Sequence, residues 1–345
     1  MSIKIFTFHY TNNYGALIQS QSLKKFLEEN INLEVKFPKY QPKKLLYREI
    51  YRPILKKNLT DFFNNLIKSY KIKNWKRKKN LLKPNNHKEA NNQTISIYGS
   101  DAIWHHFSYL GFQPYYFGEG NERFKISYAA SIGPTDFDKL NNTILSKIKI
   151  LLNKFNYISV RDINSAKMVK KMTGVDPKIV VDPVFLTDLN FIDSAKANKE
   201  KFVLIYGIVF SEEEKIKIVN YCKLKKLKMI SIGYYNNWVD KNFIHADPDE
   251  FLSYISNAEY IFTSMFHGVM FSVKFKKNFW YSSDPIRTNK LEYFIKNLNL
   301  SSRSLLNFKE FSEQIDYDEI YKKLNPWIKE SKDFLIESIR NKQIS

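Results

Sequence analysis

The sequence of 345 residues holds a single cysteine, Cys222. One thiol can build neither a disulfide framework nor a cysteine-type zinc site. Cys222 falls in a helix-like stretch, Lys215 to Leu227, where a free cysteine behaves as a small buried hydrophobe. Glycine is also scarce, with ten residues in the chain, and collagen-like or low-complexity structure is excluded. There is no GxGxxG fingerprint and no glycine-rich phosphate loop ending in Lys and Ser/Thr. A Gly-x-Ser-x-Gly nucleophile elbow is missing too. No stretch approaches the ~18 apolar residues of a membrane span. Met1 to Phe6 runs straight into a strand pattern without a signal-peptide core. No internal repeat of solenoid or propeller period is found. With no disulfides to protect, a cytoplasmic protein is expected, either free or peripheral at the inner face of the membrane.

What is present is a globular composition, 43% apolar and rich in Phe and Tyr, in a chain long enough for two domains. The formal charge of +20 favours anionic partners: nucleic acid, an acidic membrane surface or a phosphorylated substrate. Charge alone does not choose among them.

The pattern of hydrophobic residues predicts an α/β protein. Ile3 to Phe8 reads as a buried strand, followed by a polar turn, His9 to Gly15. A helix then carries Ala16, Leu23, Phe26 and Leu27 on one face and closes at Asn30, and Leu33, Val35 and Phe37 alternate as a second strand. Such a βαβ opening implies a parallel sheet. Residues 41–92 break the rhythm: they are basic, contain Pro42, Pro53 and Pro84, and read as helices inserted into the first domain. The rhythm resumes with strands at Thr94–Tyr98, Phe124–Ala129, Tyr157–Val160 and Lys178–Val181. Helices are predicted around Trp104, over 136–154 and from Arg161 to Met172. The polar segment 188–200 reads as a linker. A second set follows, with strands at Phe202–Tyr206, Lys228–Ile232, Tyr260–Thr263 and Phe279–Tyr281. Ser211 and Asp247-Pro248 are helix starts, and helices are predicted for Arg287 to Leu298 and Trp327 to Ile339. The expected domains are therefore 1–190 and 191–345, with a terminal helix free to pack on either.

Chemistry is sought where strands give way to helices, because ligands of open α/β sheets bind beyond the C-terminal strand ends. Thr263-Ser264-Met265-Phe266-His267-Gly268 is one such junction. A helix N-terminus suits an anion, His267 can give or take a proton near neutrality, and Gly268 lets backbone approach a ligand. The alternative is that His267 caps or packs the junction. Ser159-Val160-Arg161-Asp162 is a second junction, in which Arg161 either grips a carboxylate or phosphate or forms an ion pair with Asp162 or another acid. Tyr98-Gly99-Ser100-Asp101 and Ser127 to Gly133, with Ser131, either line a phosphate or sugar pocket or form capped turns. Adjacent His105 and His106 point to different helix faces, and no acidic cluster completes a metal site, so no metal or other cofactor is expected. The basic run Lys71 to Lys79, with Trp75, either faces water or touches an anionic membrane or nucleic acid. No helix-turn-helix, zinc-finger or RNA-recognition signature is present, so no sequence-specific nucleic-acid partner is expected.

Taken in order, these stretches resemble the polysaccharide pyruvyl transferase family. The resemblance rests on Thr7-Phe8-His9-Tyr10 with Asn13-Tyr14-Gly15-Ala16, Gln19 and Leu23; on Gly99-Ser100-Asp101 with Trp104; and on Lys125 to Gly133. It continues through Ser159-Val160-Arg161-Asp162, Val181-Asp182-Pro183, Thr263 to Gly268, Arg287 and Leu300 to Arg303. It covers about residues 3–303, leaving 41–92 and the tail unmatched. The family implies two Rossmann-like domains facing a cleft, like GT-B glycosyltransferases. It implies phosphoenolpyruvate as donor and a sugar acceptor of a cell-surface polysaccharide or its lipid-linked precursor, joined as a ketal. In register, His267 matches the family's catalytic His and Arg161 an Arg that holds the donor. Asn13, Tyr14, Gly15, Ser100, Asp101, Trp104, Ser127, Ser131, Ser264, Gly268 and Arg287 are the expected substrate contacts. One position departs: better-understood members carry Arg two residues before the His, and many bacterial relatives Ser, where this chain has Met265. Methionine cannot bind phosphate, so that grip falls to Arg287, Ser264 or helix N–H groups. The competing expectations are a GT-B glycosyltransferase using a nucleotide-sugar and a non-catalytic protein binding anionic lipid or nucleic acid.

Overall fold

Six strands build the first sheet of the computed structural model, which describes residues 1–40, 59–81, 94–106, 110–191, 200–282, 291–307 and 314–344. They are β1 (Ser2–Phe6), β2 (Glu34–Lys36), β3 (Thr94–Tyr98), β4 (Phe124–Ala130), β5 (Tyr157–Val160) and β6 (Lys178–Ile179). Their order is β2-β1-β3-β4-β5-β6, and every pairing is parallel. Helices α1 (Tyr14–Asn30), α3 (Asn142–Leu152) and α4 (Ile163–Thr173) make the crossovers, and α2 (Leu59–Lys78) belongs to the basic segment. The central strands β3 and β4 are buried at every residue, as expected of a parallel sheet covered on both faces.

The second sheet contains β7 (Phe202–Tyr206), β8 (Lys228–Ile232), β9 (Lys241–Phe243), β10 (Tyr260–Thr263) and β11 (Asn278–Tyr281). Its order is β11-β10-β7-β8-β9, again wholly parallel. Helices α5 (Glu212–Lys225), α6 (Pro248–Asn257), α7 (Phe266–Lys274) and α8 (Glu292–Asn297) accompany it. Both helix starts read from the sequence form, and each is a capping box: Ser211 with Glu214, and Asp247 with Glu250. Each satisfies two otherwise orphaned N–H groups.

The described residues within 1–48, 76–188 and 325–345 form one unit, and those within 49–75 and 189–324 the other. The sequence places the whole basic insert in the first domain. Its described part divides instead, because α2 is tied to the second unit: Lys68 Nζ donates to Gly233 O at 3.2 Å, Lys71 Nζ to both Glu250 oxygens at 3.0 Å and Trp75 Nε1 to Asp249 at 2.8 Å. Trp75 is therefore core, and the basic run is neither wholly solvated nor led by an exposed Trp. The last helix, α9 (Tyr317–Ile344), is longer than predicted. In the first unit, Trp327 Nε1 donates to Ile179 O at 3.0 Å and Ser331 Oγ accepts from Val181 N at 3.0 Å.

Other departures have local causes. Among the described residues 101–106 no helix forms around Trp104: Asp101 bridges Ala130, and the indole stacks on Phe117 and donates to Tyr116 O at 2.9 Å. The predicted helix over 136–154 begins only after Asn141, whose side chain caps Ile144 N. The three-residue strand β9 is too short to show alternation. Arg287, and with it the start of the helix predicted from it, lies outside the described residues.

Each sheet has one switch point, where successive connections leave in opposite directions and ligands of open α/β sheets bind. Strand order puts it between β1 and β3 in the first sheet and between β7 and β10 in the second.

His9, just past β1, supplies a pH test of the first unit. Its ring stacks on Phe37 at 4.7 Å, and since a carbonyl only accepts, its Nδ1–H donates to Thr7 O at 3.1 Å. Burial, with nearby Lys76 adding repulsion, lowers its pKa to about 4. The folded pKa lies below the unfolded value, so His9 must be neutral in the fold, and its contribution is present above about pH 6.5 and lost as the pH falls towards 4. Denaturant titrations at pH 7.5 and 5 are expected to show His9→Gln losing about 2 kcal/mol less stability than the parent over that interval.

Candidate active site

The second switch point is assembled from backbone before any reactive group is placed. Strands β7 and β10 lie side by side, with Thr263 opposite Tyr206. Thr263 Oγ1 donates to Tyr206 O at 2.7 Å and accepts from Met265 N at 3.0 Å. Ser264 N donates to Tyr206 O at 3.1 Å, and Ser264 Oγ accepts from Val209 N at 3.2 Å. The chain after β7 turns at Gly207, where φ is +133° and an added Cβ would lie 2.1 Å from Ser264 Oγ. A side chain there is excluded by both conformation and space. The Gly207 carbonyl is held by Asn236 Nδ2 at 2.9 Å.

Helix α7 starts immediately beyond. Met265 occupies its N-cap position, and its side chain makes no capping hydrogen bond. His267 stands in the first turn, 7% exposed, with its ring perpendicular to Phe266 at 5.1 Å and tilted against Phe271 at 6.0 Å. An added Cβ at Gly268 would meet Thr263 Oγ1 at 2.0 Å, so Gly268 serves the close approach of α7 to β10. Ser264 and His267 are thus the second-unit candidates whose side chains lie at the switch point.

In the first unit, the loops after β1 and β3 meet where Thr7 Oγ1 donates to Ser100 O at 3.0 Å. Gln19 Nε2 donates to Thr7 Oγ1 at 2.9 Å. Asn13 caps α1 by accepting from Ala16 N at 3.2 Å and remains partly exposed. Asp101, also partly exposed, has a left-handed backbone with φ +81°. Strain of this kind is often found at functional sites.

Arg161 does not reach out as a free grip for an anion. Its side chain is 3% exposed, with Nη1 on Asp182 at 3.0 Å and Nη2 on Asp101 at 3.4 Å. The ion pair weighed with Asp162 is not formed either: Asp162 caps α4, accepting from Ser165 N at 2.8 Å and Ser165 Oγ at 2.7 Å. Asp182 is a residue that sequence reasoning left out of the candidate site, although an Asp before Pro183 at a strand end was the available signal. Its wholly buried carboxylate also accepts from Ser100 Oγ at 3.4 Å. Burying the guanidinium requires such a partner.

Several expected contacts turn out to be internal. Ser127 and Ser159 exchange hydroxyl-to-carbonyl bonds of 2.8 and 2.9 Å across β4 and β5. Ser131 Oγ accepts from Gly133 N at 2.8 Å. Ser100, Ser127, Ser131, Trp104, Tyr14 and Gly15 are all buried. His105 Nδ1 meets Thr135 Oγ1 at 2.7 Å, while the His106 ring lies against Phe112. Among the described residues no group of three or more His, Cys, Asp or Glu is placed to hold a metal.

Comparison with known proteins supplies a family and a fold. A family model described as polysaccharide pyruvyl transferase matches residues 13–283. No curated protein sequence matches the chain. Among solved structures, UDP-GlcNAc 2-epimerase from Neisseria meningitidis, bound to UDP-GlcNAc, is similar with a TM-score of 0.54 at 11% identity, covering 99% of each chain. A second UDP-N-acetylglucosamine 2-epimerase has the same score and identity, covering 100% of this chain and 96% of its own. At such identity the likeness shows the fold, which is GT-B-like.

The pairing of Arg161 separates its two acids. Asp182→Ala leaves a buried guanidinium short of its nearest carboxylate and is expected to cost about 3–5 kcal/mol. Asp101→Asn, at a side chain 18% exposed and with backbone conformation tolerated, is expected to cost under about 1 kcal/mol. Urea titration of the two variants reads both.

Proposed function

The chain belongs to the polysaccharide pyruvyl transferase family, and we propose that it transfers pyruvate from phosphoenolpyruvate to two hydroxyls of one sugar in a cell-surface polysaccharide or its lipid-linked precursor. The observation that carries this reading is His267, in the first turn of a helix without a side-chain cap, at the switch point of the second sheet.

Phosphoenolpyruvate becomes reactive when its methylene carbon is protonated. Protonation makes a methyl group and leaves the adjacent carbon electron-poor. One sugar hydroxyl adds to that carbon, phosphate departs, and a neighbouring hydroxyl closes the cyclic ketal. Of the two hydroxyl protons, one replaces the proton given to the methyl group and the other leaves with phosphate. In this scheme His267 as imidazolium donates to the methylene carbon and then, as imidazole, accepts from the attacking hydroxyl. The N-terminal end of α7 and the Ser264 hydroxyl are the proposed contacts for the donor's charge. Arg161 is given a different part from the one its sequence position implies: with Asp182 it holds Asp101 in place. Asn13 and Asp101 are kept as proposed polar contacts in the first unit. Arg287 remains a proposed donor contact outside the described residues.

Incubation with phosphoenolpyruvate and a glycan acceptor pool, followed by mass spectrometry, is expected to show a pyruvate ketal. His267→Ala should lower its rate by about 10²–10⁴-fold while thermal stabilisation by phosphoenolpyruvate persists. Equal rates in the two proteins would remove His267 from the chemistry. Stabilisation by a nucleotide-sugar with no response to phosphoenolpyruvate would favour glycosyl transfer instead.

A further inference from the structure

One face of α2 has no place in the proposed reaction. Phe63, Leu66, Ile67 and Tyr70 recur at the spacing of one helical face and fall within about 100° of arc. They are 59%, 38%, 44% and 67% exposed. The opposite face is where Lys68, Ile72, Trp75 and Lys76 are buried. On no other helix among the described residues do four large apolar side chains stand exposed. Scattered exposed apolar residues are ordinary, but a contiguous stripe marks an interaction surface.

The charge around the stripe has one sign. From Phe62 to Asn80 there is no Asp or Glu. Lys68, Lys71 and Lys76 are used internally, on Gly233 O, Glu250 and Thr11 O. Lys73, Arg77 and Lys78 are exposed towards the C-terminal end of the helix. Helical geometry places Arg77 on the continuation of the stripe, with Lys73 and Lys78 at its two borders. The order along the helix is therefore Phe63, Leu66 and Ile67, then Tyr70, then the cations. From Phe63 to Tyr70 the stripe runs about 10 Å along the helix, and an interfacial helix lying in the membrane plane sinks such an apolar face ~5–10 Å into the headgroup–acyl boundary. Tyr70, the most exposed of the four, stands at the boundary, the level at which tyrosine settles between acyl chains and headgroups.

We infer that this face of α2 is a docking surface for an anionic phospholipid bilayer. Phe63, Leu66 and Ile67 enter the acyl boundary, and Lys73, Arg77 and Lys78 meet the headgroups. An acidic protein surface would match the charges, but it would not account for the graded sequence of apolar, aromatic and basic residues along one ridge. The inference concerns adhesion rather than chemistry, and its test requires no turnover.

The experiment is cosedimentation of the full chain with vesicles of phosphatidylcholine containing about 30 mol% phosphatidylglycerol, at low and at physiological salt. The parent should bind, and binding should fall several-fold on pure phosphatidylcholine and on raising the salt. Phe63→Glu/Tyr70→Glu alters exposed positions and should reduce binding about ten-fold or more with an unchanged melting curve. Lys73→Glu/Arg77→Glu should reduce it on anionic vesicles while leaving any residual binding to neutral ones unaffected. Failure of the parent to bind anionic vesicles would overturn the inference. So would equal binding by parent and Phe63→Glu/Tyr70→Glu. A parent that forms dimers which this double variant dissociates, without vesicle binding by either, would assign the face to a second copy and overturn it as well.

Discussion

The approach of helix Phe266–Lys274 to the ends of β7 and β10 sets what the second unit can do. Two contacts fix it. At Gly207 the turn after β7 passes so close to Ser264 that a Cβ would overlap its hydroxyl, and at Gly268 the helix lies against Thr263 with no room for a methyl group. A side chain at either place would push the helix outward and carry His267 with it. Displacement of about 1 Å is enough to cost a catalytic group most of its effect. The hydroxyl of Thr263 completes the arrangement by bonding both Tyr206 O and Met265 N. The polar residues of this junction thus build the platform, and His267 is the titratable side chain placed on it.

In the first unit the constraint is electrostatic. A guanidinium removed from water must meet carboxylates, and Arg161 meets Asp182 and Asp101. The pairing ties the end of β5 to the loop after β3 and to the turn at Pro183. It explains why a residue type suited to holding an anionic substrate is engaged with the protein's own acids. The basic helix behaves similarly. Three of its lysines bond to carbonyls and to Glu250, so a large positive charge in the sequence does not translate directly into a positive surface.

The parallel order of elements was legible because a buried strand such as Phe202–Tyr206 is a continuous apolar run closed by a turn residue, Gly207. Helix starts were legible because Ser211, Asp247 and Asp162 carry their own capping chemistry. The family was legible from the order of several short motifs. The partners of individual side chains were not. Nothing in the spacing of Arg161 distinguishes a substrate carboxylate from Asp182, 21 residues away. Ser127 reads in sequence as part of a strand-end pocket, yet it lies in the middle of β4 and its hydroxyl is bonded across the sheet to Ser159 O. Gly268 looks in sequence like an opening for a ligand and in the structure is a packing contact. Local pattern records what a residue can do, whereas the occupant of its neighbouring space is decided by tertiary structure. The exposed stripe on Leu59–Lys78 is not legible in the sequence, because its periodicity is the same whether the apolar face turns inward or outward.

The central claim is that a proton is delivered to the donor's methylene carbon at His267. The most direct measurement is the isotopic composition of the product formed in D₂O from phosphoenolpyruvate and an accepted sugar. The account predicts one deuterium in the ketal methyl group and one phosphate released per ketal, with both signals depressed together in His267→Gln. Phosphate release without ketal, or a ketal methyl group formed at the parental rate in His267→Gln, would contradict it.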